Sequence, residues 1–304
     1  MNTSLAIPAL ARYWMKFRQD DDHEYFLQAA QALTGFIVLR RAATGSIAGI
    51  DSELRALMSG PSVEGSRPLC VGLLTQPNTP PTLEEFKSVL QHYLKGRTIR
   101  VDDEASWVKR ISENPLAQQS RPLTRFLLLA AAEQSQPDKA KPGLWSREDV
   151  TKTDERSYLN YKSWIEEKYS TVEHVAPESK PEGGWDESIY CRTYTRHTLG
   201  NLILLPQKEN SSVGNAGWEK KKIFYLALME REKSEQERCI QSAREEGFPF
   251  SKKVENLLES GERLHFLDPL YDMDAWDENI IYTRTDNIVR LAWQKISPWL
   301  FSQG

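Results

Sequence analysis

The sequence predicts a mainly α-helical chain with a small α+β core. Three observations carry this. Apolar residues recur at helical spacing, between capping signals, through most of the first 135 residues. Two short β-rich runs, 170–175 and 199–205, each followed by a proline, interrupt that pattern. Helical periodicity then returns and continues to the C-terminal stretch. A length of 304 residues is enough for about two domains. We expect a helical domain at 1–150 and a second domain at 158–304, which holds the β-rich runs and the C-terminal helices.

Each element has its own signal. Asp20–Arg41 is apolar and Ala-rich, and Gly45 stands at its expected end. Asp51–Met58 is a short helix stopped by Gly60-Pro61. After a turn-rich break at 76–81, Thr82 and Glu85 form a capping box, and Phe86, Val89, Leu90, Tyr93 and Leu94 share one helix face. Leu123–Glu133 is a further apolar helix, followed by a polar linker at 134–157. Tyr158–Tyr169 reads as a short helix. The first β-rich run ends at Pro177 and the second at Pro206. Asn210–Asn215 is polar and cap-like, and helices are expected at 218–231, 254–264 and 280–296.

Composition bounds the function. Hydrophobic residues make up 39%, and 9 Trp, 11 Tyr and 10 Phe can fill a core, which excludes a wholly disordered chain. The longest apolar run, Phe126–Ala132, falls far short of the roughly 18 residues of a membrane span. The N-terminal stretch lacks the basic region of a secretory signal. Three widely spaced cysteines, Cys70, Cys191 and Cys239, exclude a disulfide scaffold and a paired-cysteine zinc site, and they suit a reducing cytoplasm. A net charge of −4 argues against non-specific coating of nucleic acid but leaves room for a local basic patch.

The histidines are few enough to weigh singly. His23 lies in an acidic segment, and His92 and His265 lie in apolar-flanked helical stretches, where a structural role is the usual one. His174 and His197 fall within the β-rich region, near carboxylates and amides. Glu173-His174 closes a strand. A neutral imidazole suits general-base work near pH 7, and a carboxylate suits a hard divalent ion. Asn210 can offer a second oxygen ligand. By spacing alone the signal is weak, and a structural role is the commoner explanation. Around this pair the charge divides. Residues 171–191 hold Glu173, Glu178, Glu182, Asp186 and Glu187 against Lys180. Residues 192–222 hold Arg192, Arg196, Lys208, Lys220, Lys221 and Lys222 against Glu209 and Glu219. By itself such a lysine run is most often a solvated helix face.

Four blocks stand in order: Val172-Glu-His-Val-Ala-Pro177, Arg196-His-Thr-Leu-Gly-Asn-Leu-Ile-Leu-Leu205, Asn210, and Gly214-Asn215 with Trp218-Glu-Lys-Lys-Lys222. Together they resemble the HNH (His-Me finger, ββα-metal) nuclease domain. More closely, they resemble the C-terminal domain of the GmrSD-type modification-dependent restriction endonucleases, a group that includes the SspE phage-defence proteins. The resemblance implies a metal-dependent DNA endonuclease of a restriction or anti-phage system. It makes His174 the general base, and Glu173 and Asn210 ligands of Mg²⁺ or Mn²⁺; relatives often have Asp at the first of these. It places Asn201 in the catalytic set, as the asparagine that ties the His-bearing strand to its loop. Arg196, His197, Lys220, Lys221 and Lys222 are expected at the nucleic acid. Full-length relatives also carry an N-terminal nucleotide-binding module. No GxxxxGK[ST] loop occurs in this sequence, so DNA and a sensing module or other defence subunit are the expected partners. The rival readings are a catalytically silent DNA-binding or regulatory module on the same scaffold, and a structural helical protein.

Overall fold

A computed structural model describes residues 6–60, 63, 67–69, 80–112, 114–147, 157–181, 183–230, 232–260 and 263–301. Cys70, the turn at 76–79 and positions 148–156 of the expected linker lie outside them. The expected fold class holds: the described chain is mainly α-helical, with two small two-stranded sheets. It divides into two compact units, Met1–Ile111 with Trp293–Gly304, and Ser112–Ala292.

The first unit is helical. Its elements are α1 (Ala6–Asp20), α2 (His23–Thr44), α3 (Ile50–Ser59), α4 (Leu83–Lys95) and α5 (Glu104–Ile111). Asp22 caps α2 by accepting from the Tyr25 amide at 3.0 Å, and Gly45 ends it with φ 66°. The expected capping box starts α4, with both of its hydrogen bonds present between Thr82 and Glu85. Leu33, Phe36, Leu39, Phe86, Leu90 and Trp107 pack inside, and the Trp107 indole donates to the Leu39 carbonyl at 2.9 Å. The sequence pattern starts the first helix at Asp20, yet α1 precedes it. Its Pro8 sits in the first turn, where a missing N–H breaks no helical hydrogen bond.

The second unit opens with α6 (Leu116–Gln119), α7 (Arg121–Ala132), β1 (Gln136–Pro137), β2 (Trp145–Ser146) and α8 (Tyr161–Ile165). Then come β3 (Thr171–His174), β4 (Leu202–Leu205), α9 (Gln207–Val213), α10 (Trp218–Met229), α11 (Lys233–Glu245), α12 (Lys252–Ser260) and α13 (Glu278–Ile296), which belongs to this unit as far as Ala292. β3 and β4 pair antiparallel, with Glu173 opposite Ile203 and His174 opposite Leu202. All four residues of β4 are buried, which explains its unbroken apolar run. Pro206 ends the strand and serves as the N-cap of α9. Ile203, Leu205, Phe224, Leu228, Leu267 and Trp276 belong to the core behind this sheet.

The turn into β4 depends on a glycine. The Gly200 amide donates to Thr285 Oγ1 at 2.9 Å, and its carbonyl accepts from Arg284 Nε at 2.8 Å. A Cβ at position 200 meets the Ile281 carbonyl oxygen, with Thr285 Oγ1 and N at 2.6 and 2.7 Å. The Ile281 oxygen and the Thr285 nitrogen are backbone atoms of α13 and cannot swing aside. Gly200→Ala is therefore expected to cost about 3 kcal/mol or more, the upper end for overpacked sites, measured as a lowered midpoint of chemical unfolding.

Candidate active site

β3 delivers two adjacent side chains to opposite faces. Glu173 turns inward and is 8% exposed. Its Oε1 accepts from Lys221 Nζ at 2.6 Å, and the same ammonium donates to the His174 carbonyl at 2.8 Å. Lys221 is fully buried, on α10. Burial pushes the Glu173 carboxyl up and the Lys221 ammonium down, and each partner's charge opposes the other's shift.

His174 turns the other way, and both residues border a cleft of about 610 Å³ that Thr171, Glu178, Gln207 and Asn210 also line. Its Nε2 lies 3.2 Å from Nδ1 of His197, with the two rings edge to face. Its Nδ1 faces Glu178 Oε1 at 3.5 Å. His197 is 3% exposed, and its Nε2 lies 2.8 Å from Gln118 Nε2. The Glu178 carboxylate, by contrast, is largely in solvent. Nε2 of His174 thus points inward and Nδ1 outward. Burial lowers the His174 pKa to about 3, helped by His197, Lys221, Arg121 and Arg196. Burial also lowers that of His197. Both rings are neutral at pH 7. The donor atoms of His174, Glu178 and His197 lie within 4.8 Å of one another, and these residues form the cluster with metal-holding geometry among the described residues.

Asn210, on α9, uses its amide nitrogen on β3, donating to Thr171 Oγ1 at 2.9 Å. Its side-chain oxygen has no hydrogen-bond partner among the described residues. Asn201 is fully buried and its side chain is saturated. The oxygen accepts from the Ala176 amide and the Trp276 indole at 2.8 and 3.0 Å, and the nitrogen donates to the carbonyls of Ala176 and Arg196 at 2.8 and 2.9 Å. It clasps the chain after β3 to the loop before β4, and its position is structural.

Of the expected residues, Glu173, His174 and Asn210 line one cleft. Asn201, Arg196, His197, Lys220 and Lys222 do not line it. His197 is buried behind His174. Lys221 also borders the cleft, but its charge is spent inside on Glu173, because an inward-facing helix position leaves the ammonium no water. Lys220 donates to the Pro249 carbonyl, and Lys222 pairs with Asp274. Arg196 stacks its guanidinium over Tyr190 at 5.3 Å. Glu173, expected as a ligand, has one oxygen on the Lys221 ammonium. Two contributors carry no assignment from the sequence, Glu178 and Gln118. Glu178 stands four residues after His174, but the intervening turn through Pro177, not a helix, brings it back. Gln118 has no local signal.

A model of the family described as GmrSD restriction endonucleases, C-terminal domain, matches residues 118–291 of this chain. The search of curated proteins found no match.

Two measurements follow from the geometry. Removing one member of a buried ion pair costs about 3–5 kcal/mol, whereas replacing both with apolar residues is near neutral. Lys221→Met is expected to lower unfolding stability by that amount, and Glu173→Leu with Lys221→Met to recover most of it in urea titrations. In chelator, stability is expected to fall as pH drops from about 6.5 toward 3, because unfolded imidazole takes a proton that folded His174 refuses. Above 6.5 neither state is protonated and this dependence vanishes. The slope is at most about 1.4 kcal/mol per pH unit for each ring, and His174→Gln flattens it in urea midpoints taken across that range.

Proposed function

The chain belongs to the GmrSD restriction endonucleases, carrying their C-terminal domain, and on that ground we propose that it is a metal-dependent DNA endonuclease of the HNH type. The family makes it a nuclease acting on DNA; the subtype, the ion and the residue roles are our reading. The observation that carries it is a neutral imidazole at the end of β3, opening into the same cleft as the Asn210 amide of α9. Strand, strand and helix follow in the order β3, β4, α9.

Neutral His174 takes a proton from water as the water oxygen attacks phosphorus. The bond from phosphorus to the leaving oxygen breaks, and that oxygen leaves with a proton from solvent. His197 holds Nε2 and so fixes the ring. Oxygen donors suited to Mg²⁺ or Mn²⁺ are present in the Asn210 side chain and the Glu178 carboxylate, which takes the acidic role expected of Glu173. Bound there, a divalent ion neutralises the charge that develops on the phosphate and leaving oxygen. A second reading is favoured by the 3.2 Å between the ring nitrogens of His174 and His197. There both imidazoles and Glu178 ligate the ion, a donor set that suits Mn²⁺ better than Mg²⁺.

We place the activity in defence against phage, alongside a nucleotide-binding or sensing module, in the cytoplasm. No helix among the described residues is long and apolar enough to cross a membrane. Supercoiled plasmid with Mg²⁺ or Mn²⁺ tests the reading. Wild type is expected to nick or cut it, and His174→Ala to do so about 10²–10⁴ times more slowly, the usual loss of a general base. Binding without cutting by the wild type would instead support a silent DNA-binding module. Activity with Mn²⁺ but none with Mg²⁺, abolished in His197→Ala, would favour the two-imidazole site.

A further inference from the structure

The lysines expected at the DNA are occupied elsewhere. Lys220 is on the Pro249 carbonyl, Lys221 on Glu173 and Lys222 on Asp274. Other cations stand open at the cleft and in the depression beside it. α9 forms a wall between two depressions. Gln207 and Ser211 line both the catalytic cleft and a neighbouring one of about 580 Å³, whose cations are Lys208 and Lys253. On the other side, Arg121, Thr171 and Val172 line both the catalytic cleft and a smaller hollow of about 200 Å³, which Trp164 also borders. The three depressions therefore lie side by side, a trough in three sections divided by shared walls, with His174 in the middle one.

Lys208, Lys253 and Arg121 are exposed. None of the three has a hydrogen-bond or ion-pair partner for its charged group among the described residues, unlike the three lysines of α10. One carboxylate, Glu167, shares the Lys208 section, so cations outnumber acids there. Arg121 is near enough to His174 to lower the pKa of that ring by its charge. An exposed, unpaired cation on each side of a hydrolytic centre is what a polyanionic strand requires, since phosphate contacts position the backbone whatever its sequence.

We infer that this trough is the path of the DNA strand. Lys208 and Lys253 hold phosphates on one side of the scissile bond, and Arg121 holds one on the other. This rests on the nuclease reading above and assigns its substrate contacts to residues outside the Lys-rich start of α10.

Binding of a short fluorescein-labelled duplex, measured in chelator across a range of salt, separates the trough from the chemistry. For Lys208→Gln with Lys253→Gln, the slope of log affinity against log salt is expected to shrink by about 0.9 for each phosphate no longer neutralised. Arg121→Gln is expected to shrink it similarly. Lys220→Gln with Lys222→Gln is expected to leave it at the wild-type value. With metal added, the trough variants are expected to raise KM for plasmid cleavage and to leave kcat near wild type. Thermal melts identical to wild type show that the variants are folded. If folded trough variants keep the wild-type slope and KM while the wild type binds and cuts, the path is wrong and the nuclease reading stands. If the wild type binds no duplex, both fall.

Discussion

One buried ammonium organises the site. Lys221 reaches from α10 to the end of β3 and bonds both the Glu173 carboxylate and the His174 carbonyl. A buried pair of this kind adds little net stability over an apolar pair, yet an unpaired member is very costly. Its effect is therefore on geometry. It holds the strand end with Glu173 inward, and strand alternation then turns His174 outward to the cleft. It also ties one oxygen of Glu173 to an ammonium, whereas the Glu178 carboxylate stands largely in solvent.

The same cationic surroundings serve two ends. Lys221, Arg121 and Arg196 all disfavour a positive charge on His174, so the ring stays neutral and able to accept a proton. Cations placed around a cleft also draw a phosphate into it. Orientation comes from neutral contacts: His197 behind the ring, Gln118 behind His197, and Asn201 closing the loop that carries both His197 and itself. Gly200 lets that loop lie against α13, where any side chain would strike backbone.

How legible each part is follows from how local its cause is. The capping box of α4, the Gly45 stop and the proline ends of β3 and β4 are set by neighbours a few residues apart, and they match the sequence reading. α9 reads as a polar stretch because seven residues with two serines and an asparagine show no apolar stripe. α11, rich in charged and polar residues, escapes the sequence pattern for the same reason. At the site, His174 and Asn210 stand out in their motif blocks, whereas His197 reads equally as a loop-holding residue or as a phosphate contact beside Arg196. In the Lys220–Lys222 run, successive residues turn about 100° around the helix, so a single one can face the interior. Composition does not say which.

The helical character, the two-strand insertion, the family and the position of the strand-end histidine are all written in the chain before it folds. Periodicity, caps and ordered motif blocks act over short stretches, and they survive without knowledge of packing. Which charges lie in water and which in the interior is settled instead by the folded molecule. Lys221 meets a carboxylate 48 positions away, and His197 meets Gln118 at a separation of 79. Desolvation and pairing between such distant groups, not residue type, set which cations remain open to a phosphate and which nitrogen of His174 faces the cleft.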